Sequence, residues 1–353
     1  MSAENSARTI RQATGLDPVR ALQRVLYRSA KQEPERRFHA LYDKLTRSDV
    51  MWRAWVDVAT NQGAPGIDGV SIADIVAEGA EGVRRFLDGL AGELNDGTYR
   101  PKALRRVHIP KPGKPGETRP LGIPAIRDRV VMAAAKIVLE PIFEATFSPQ
   151  SFGFRPKRSA HQALETVCQT ANKGAVWVLD ADIKACFDEI DRDALLAQIE
   201  RRVVDQKMLK LLKSWLRVGV FEGGVVSDSG AGTPQGSPIS PLLANIALHV
   251  LDEAWVGADA GWGPWCVSVM TSSCCAQPRN GPRRPGTWRQ RPWLRSGCVC
   301  IPRRRGSSVS VRVWTGSTSW ASTSGCVGGR SLRAGTPCRC GPRLGPWPRS
   351  RPR

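Results

Sequence analysis

Between Val176 and Asp188 the chain reads Val-Trp-Val-Leu-Asp-Ala-Asp-Ile-Lys-Ala-Cys-Phe-Asp, the stretch whose residue types most directly suggest chemistry. Its β-branched and aromatic residues alternate with period two, the pattern of a buried strand. That strand would deliver Asp180 and Asp182 beside an apolar core. An ionised carboxylate is costly to bury unless a cation neutralises it. A hard divalent ion such as Mg²⁺ meets that need, because it takes oxygen ligands and keeps room for phosphate oxygens. Asp188 and Asp191 have a competing role as helix caps. Asp180, two residues before Asp182, shares its face of the strand and is at most a helper.

A second cluster is cationic. From Tyr99 to Pro124 two extended segments flank a Lys/Pro/Gly turn, which predicts a hairpin presenting Lys111, Lys114 and Arg119. Lysine meets phosphate as a point charge and arginine as a bidentate fork; the competing reading is a solvated basic loop. A third stretch, Gly232 to Asn245, is a Gly/Pro turn entering a helix that runs to about Trp255. Ser237 and Ser240 read there as caps and turn formers, since no histidine sits nearby in sequence to activate them.

Apolar spacing predicts the elements that must position these groups. Helices are expected over Pro18–Tyr27, Arg36–Trp55, Gly79–Asn95 and Arg127–Phe147, then from the Ser159 cap to Asn172 and, unbroken, over Asp191–Val218. Residues 61–69 form a turn-rich loop, 148–158 an aromatic and Gly-rich turn, and Gly219–Gly232 a short hairpin around Gly223-Gly224.

The formal charge of +20 on 353 residues is unevenly placed. From Gly261 onward there are 17 Arg, no Lys and no acid, so the first 260 residues carry 35 basic against 32 acidic side chains. The global charge therefore says little about the folded part. Eight of the ten cysteines fall in the same segment, but with no Cys-x₂-Cys pair and no His after His249 zinc is not expected there. Gly and Pro fill 24 of its 93 positions, and arginines without acids repel one another, so a largely disordered tail is expected.

Four motifs stand in a fixed order: Arg119-Pro-Leu-Gly-Ile-Pro, Phe152-Gly-Phe-Arg155-Pro, Asp182-Ile-Lys-Ala-Cys-Phe187-Asp, and Thr233-Pro-Gln-Gly-Ser-Pro-Ile-Ser-Pro-Leu-Leu-Ala-Asn245. Together, over roughly residues 10–258, they resemble the group II intron reverse transcriptase/maturase family. The resemblance implies an α+β, right-hand polymerase with fingers and a partial palm, a ferredoxin-like antiparallel sheet with helices. It implies Asp182 as catalytic residue and, with the backbone carbonyl of Ile183, as Mg²⁺ ligand. Phe187 would be the gate beneath the incoming sugar, Gln235 and Gly236 the turn meeting nucleotide and template base, and Lys111, Lys114 and Arg119 the cover over the triphosphate. The implied partners are an RNA template, a DNA primer, deoxynucleoside triphosphates and group II intron RNA, with no membrane.

The chain departs from this pattern after residue 258. The family's second acidic motif, Tyr-Ala-Asp-Asp, is absent as written, and no carboxylate follows Asp259. Reading from the third base of each codon, Val313–Thr323 permits Leu-Asp-Gly-Phe-Asp-Phe-Leu-Gly-Phe-His and Ser296–Pro302 permits Gly-Leu-Arg-Leu-His-Pro, both similar to family segments. In that frame Val269–Cys275 permits Tyr-Asp-Phe-Val-Val-Leu, two residues short of the motif. A frameshift between about Asp252 and Trp262 is therefore expected.

The resulting organisation is an N-terminal helical extension and start of the fingers (1–98), fingers (99–175), partial palm (176–258) and an out-of-frame tail (261–353). The expected function is RNA-directed DNA synthesis with intron RNA binding for splicing and mobility, defective in this chain. The thumb/maturase and nuclease domains are also missing from the resemblance. The rivals are a noncatalytic RNA-binding remnant and a pseudogene product that does not fold stably. With no signal peptide and no run near the ~20 apolar residues of a membrane span, a bacterial cytoplasm is the expected compartment; oligomeric state is not legible.

Overall fold

The computed structural model describes residues 17–111, 113, 116–172, 177–183, 186–227, 236–257, 265–268, 271–276, 309–315 and 320–324. The first element, α1 (Pro18–Gln32), begins with Pro at N1 and with Asp17 accepting the Val19 N–H at 3.0 Å, a proline position that costs no helical hydrogen bond. Helix α2 (Ser48–Thr60) follows, then α3 (Ile72–Ala77), opened by a reciprocal Ser71/Asp74 capping box, and α4 (Gly79–Asn95). The centre of this half is α5 (Ile126–Glu144), buried over most of its length. Its apolar residues surround it on all sides, as in a helix enclosed by others, and α1 and α2 both pack against it.

Strands β1 (Leu104–Pro110) and β2 (Thr118–Ile123) form the expected hairpin, antiparallel from Arg105↔Ile123 to Pro110↔Thr118. Strand β4 (Val220–Glu222) joins β1 in parallel through Leu104↔Val220 and pairs antiparallel with β5 (Val225–Ser227), giving the order β2-β1-β4-β5. Gly223 and Gly224 turn that second hairpin with φ of +58° and +88°, as a two-residue turn with both centres in the left-handed region requires.

Helix α6 (Ala160–Asn172) leads to β3 (Trp177–Ile183), followed by the short α7 (Cys186–Glu189), α8 (Arg192–Glu200) and α9 (Gln206–Leu216). Helix α10 spans Ser240–Gly257. Strand β3 is the middle of a second sheet, β6-β7-β3-β8-β9, whose other strands are Trp265–Ser268, Thr271–Ala276, Val309–Thr315 and Trp320–Ser324. The segment expected to be largely disordered thus contributes four strands, and the rest of it lies outside the described residues. The molecule is α+β, with small sheets and packed helices.

Two expected helices are corrected. Asp191–Val218 is two helices, because the chain leaves α8 so that Val203 can bridge to Phe38. Phe38 N–H donates to Arg202 O at 2.8 Å and Val204 N–H to Phe38 O at 3.0 Å. Asp205 then caps α9, accepting from the Lys207 and Met208 N–H groups. For the same reason Arg36–Trp55 is not one helix: Phe38 lies in that bridge, and helix α2 starts only at Ser48. Asp205 Oδ2 also accepts the Leu41 and Tyr42 N–H groups, both at 2.8 Å.

Candidate nucleotide and nucleic-acid site

The four motifs, distant in sequence, are joined by particular contacts. Gly236 takes a φ of +102°, and a Cβ there would lie 2.9 Å from Leu121 Cδ1 and 3.0 Å from the Gly122 carbonyl. Only glycine lets this turn close on β2. Arg119 is two residues from Leu121 along β2 and so lies on the same face of that strand. Arg119 is exposed and has no hydrogen-bond or ion-pair partner among the described residues.

The other two cations of the hairpin differ from it. Lys111 is committed across the turn, its Nζ 2.8 Å from Glu117 Oε2 and its N–H donating to Glu117 O at 2.9 Å. Lys114 and Gln235 lie outside the described residues. The hairpin is tethered to its neighbour: His108 Nε2 is 2.8 Å from Glu222 on β4, and Nδ1 is 3.2 Å from Thr118 Oγ1. The loop 61–69 folds onto the same strands, with Arg105 donating twice to Pro65 O at 3.0 and 2.7 Å.

Phe187 sits on α7 and is buried, with 7% exposure. Its ring meets Phe154 edge-on at 6.2 Å, and Phe154 in turn is 43% exposed. Asn245 on α10 donates to Gly153 O at 2.9 Å, so the motif helix, the 152–156 turn and α7 form one packed unit. Ser237 and Ser240 are the cap that the sequence suggested: the Ser240 N–H donates to Ser237 Oγ at 3.3 Å, and the hydroxyls are 2.7 Å apart. Asp191 likewise caps α8 through the Asp193 and Ala194 N–H groups. The side chain of Asp188 lies outside the described residues.

Two buried groups, Arg155 and Asp128, carry more of the architecture than the sequence disclosed. Arg155 is buried and forks onto Glu144, Nε at 3.0 Å from Oε2 and Nη2 at 2.7 Å from Oε1. Its Nη1 donates to the carbonyls of Ser148 and Ser151. Asp128, fully buried, accepts the Tyr99 hydroxyl at 2.7 Å and the Lys102 N–H at 2.9 Å, and Trp215 Nε1 donates to the Tyr99 oxygen at 3.3 Å. This links α5, the Tyr99–Lys102 segment before β1, and α9. Burial pushes the Asp128 carboxyl above its usual range although both hydrogen bonds pull it down, and burial with the adjacent Asp128 raises the Tyr99 phenol. A signal was available, an acid in the first turn of an otherwise apolar helix.

Asp182 lies one residue before the end of β3, with Ile183 last. Its register partners are Thr271 on β7 and Ser310 on β8. A two-ion phosphoryl-transfer site holds cations about 3.5–4 Å apart between several oxygen ligands. Here neither cross-strand partner is a carboxylate, and no acid follows Asp259 anywhere in the chain. Among the described residues no three His, Cys, Asp or Glu side chains could share an ion. The residues present do not fit the Mg²⁺ pair that the motifs imply.

Residues 109–260 match the family described as reverse transcriptase (RNA-dependent DNA polymerase). The chain is 37% identical over 240 residues to the group II intron-encoded protein LtrA of Lactococcus lactis, covering 67% of this chain and 39% of that protein. It is 36% identical over 241 residues to protein YkfC of Escherichia coli K12, covering 67% and 62%. It is 44% identical over 149 residues to a 91 kDa protein in the cob intron of Schizosaccharomyces pombe, covering 42% and 18%. The chain therefore spans less than two thirds of the length of these relatives. No helix among the described residues is long and apolar enough to cross a membrane. With the four motifs packed together and this similarity running through all of them, the chain belongs to the group II intron-encoded reverse transcriptase and maturase family.

Proposed function

We propose that this chain is an RNA-binding reverse transcriptase relative in which the finger hairpin meets nucleic-acid or nucleotide phosphates while polymerase chemistry is not completed. The ancestral activity is RNA-directed DNA synthesis from an RNA template and DNA primer, coupled to binding of the parent intron RNA. The observation that carries the reading is Arg119, an uncommitted guanidinium on the face of β2 against which Gly236 closes. A planar fork of donors beside a tight backbone turn suits a phosphate oxygen pair. Lys111 is a weaker candidate, since Glu117 already holds it. Phe187, buried behind Phe154, supports the site by packing.

Fluorescence anisotropy with a structured RNA, titrated in salt, tests this. The full chain should bind RNA with an affinity that falls steeply as salt rises. Arg119→Ala should weaken binding similarly across RNA sequences and reduce the salt slope by about one. Because Arg119 is exposed, folding stability should change by less than about 0.5 kcal/mol. Absence of binding at low salt, or primer extension in Mg²⁺ that Asp182→Ala abolishes, would overturn the proposal.

A further inference from the structure

The aromatic turn over 148–158 holds two residues other than glycine at positive φ, Phe154 at +55° and Lys157 at +60°. This left-handed region costs an L residue free energy because its Cβ crowds the following carbonyl, and glycine or asparagine is the usual occupant. The strain falls on Phe154 although a glycine stands beside it at 153. Such conformations persist where the surroundings over-determine them, and they cluster at ligand contacts.

The surroundings do so here. Asn245 on α10 donates to Gly153 O at 2.9 Å, Arg158 Nη1 donates to Pro149 O at 2.9 Å, and Arg155 forks inward onto Glu144. Because three side chains share the task, loss of one leaves the turn in place in the folded chain. Phe152 is used for packing, 6% exposed with the Arg158 guanidinium 5.5 Å from its ring centroid. Phe154 is not, being 43% exposed. Its contact with Phe187, at 6.2 Å and 62° between planes, cannot cover both faces of the ring. Lys157 is exposed and has no hydrogen-bond or ion-pair partner among the described residues.

We infer that Phe154 is a stacking platform for an unpaired base of bound RNA and that Lys157 meets a phosphate of the same strand. The two Cα atoms are at most about 11 Å apart, three residues of extended chain. An aromatic face beside a free cation is how single strands are held without sequence preference, since every base has a π-face. Duplex bases are already stacked on one another and have no use for the ring. The inference rests on the RNA-binding reading above but uses residues other than Arg119, so the two can fail separately.

The test uses the full chain and a single-stranded RNA carrying 2-aminopurine at successive positions, with a blunt RNA duplex beside it. Binding should change the probe's emission at one position or a few, and Phe154→Leu should remove that change. Phe154→Leu should also weaken single-strand binding about five- to a hundredfold, leaving the salt slope and the duplex affinity as they were; Phe154→Tyr should restore it. Lys157→Gln should lower the salt slope by about 0.7. A packing role is separated by Phe154→Asn, which suits the left-handed region: its urea midpoint should equal or exceed that of the original chain while single-strand binding falls. A lowered midpoint with RNA binding intact, or a probe whose emission never changes, overturns the inference. RNA binding that depends on Arg119 but ignores Phe154→Leu refutes this inference alone, whereas no RNA binding at low salt refutes both.

Discussion

Arg155 falls in a motif that would ordinarily be searched for substrate contacts, yet its surroundings make it a structural pin. Its side chain is 3% exposed, its fork spans both oxygens of Glu144, and its remaining nitrogen serves the carbonyls of Ser148 and Ser151. The guanidinium also lies 5.3 Å from the Phe147 ring centroid. Removing it with Arg155→Ala leaves Glu144 as a poorly solvated carboxylate, a change that costs about 3–5 kcal/mol for a buried pair. The two orphaned carbonyls add to that if water does not reach them. Arg155→Lys keeps the charge but cannot form the fork and serve both carbonyls, so a loss of about 1–3 kcal/mol is expected.

The assay is urea unfolding of the full chain followed by far-ultraviolet circular dichroism, on Arg155→Ala, Glu144→Gln and the double variant. If the pair is the dominant interaction, the double variant should be less destabilised than the sum of the singles by about 1–3 kcal/mol. RNA affinity of the folded fraction should be unchanged in each. Additive losses, or an Arg155→Ala chain of wild-type stability that no longer binds RNA, would refute the structural role.

Gly236 and Gly223 separate backbone strain from crowding, since both have positive φ but only Gly236 has atoms within 4 Å of a Cβ. Gly223→Ala should cost about 1–2 kcal/mol, whereas Gly236→Ala should cost about 2–5 kcal/mol from strain and overpacking together; equal costs in urea unfolding would show that the turn does not rest on β2. Asp205 sets an acid limb. Burial alone would raise its carboxyl, but the N–H groups of Tyr42, Leu41, Met208 and Lys207 hold it below the usual range. Its ionised form therefore favours the fold: the contribution is complete above the unfolded value of about 3.9 and is lost as pH falls through the lower folded value. Asp205→Asn should destabilise the chain at neutral pH and flatten its acid unfolding curve, and parallel curves for the two proteins would contradict this.

Local signals carried the hairpins and strands well. Gly223-Gly224 between short β-rich runs dictates a tight turn, Ser159 three residues before Gln162 dictates a helix start, and both elements form where those residues place them. The errors came where a partner lies far along the chain. Nothing near Val203 announces that it will bridge Phe38, and the two helix breaks follow from that single long-range pairing. Asp205 is similar, since half of its hydrogen bonds go to a segment more than 160 residues earlier. The strand that carries Asp182 and the tight turn at Gly236 were readable by type and spacing. The commitment of Lys111 to Glu117, the burial of Phe187 and the pin made by Arg155 were not, because each depends on which neighbour the fold supplies.

The distribution of the core explains why binding and chemistry should come apart in this chain. Among the described residues, every member of the main apolar cluster lies between Val19 and Ala247, including Phe187 just after β3. The sheet β2-β1-β4-β5 draws all its strands from residues 104–227. Strands β6 and β7, from beyond residue 260, pack against helix α6, whereas no strand of the sheet that presents Arg119 is drawn from that segment. Strand β3 is different: both of its neighbours, β7 and β8, come from that later segment. Whatever alters the tail acts first on the surroundings of Asp182, so a loss of metal ligands with RNA affinity intact is the expected signature of this chain, and concurrent loss of both would place the cause in the core instead.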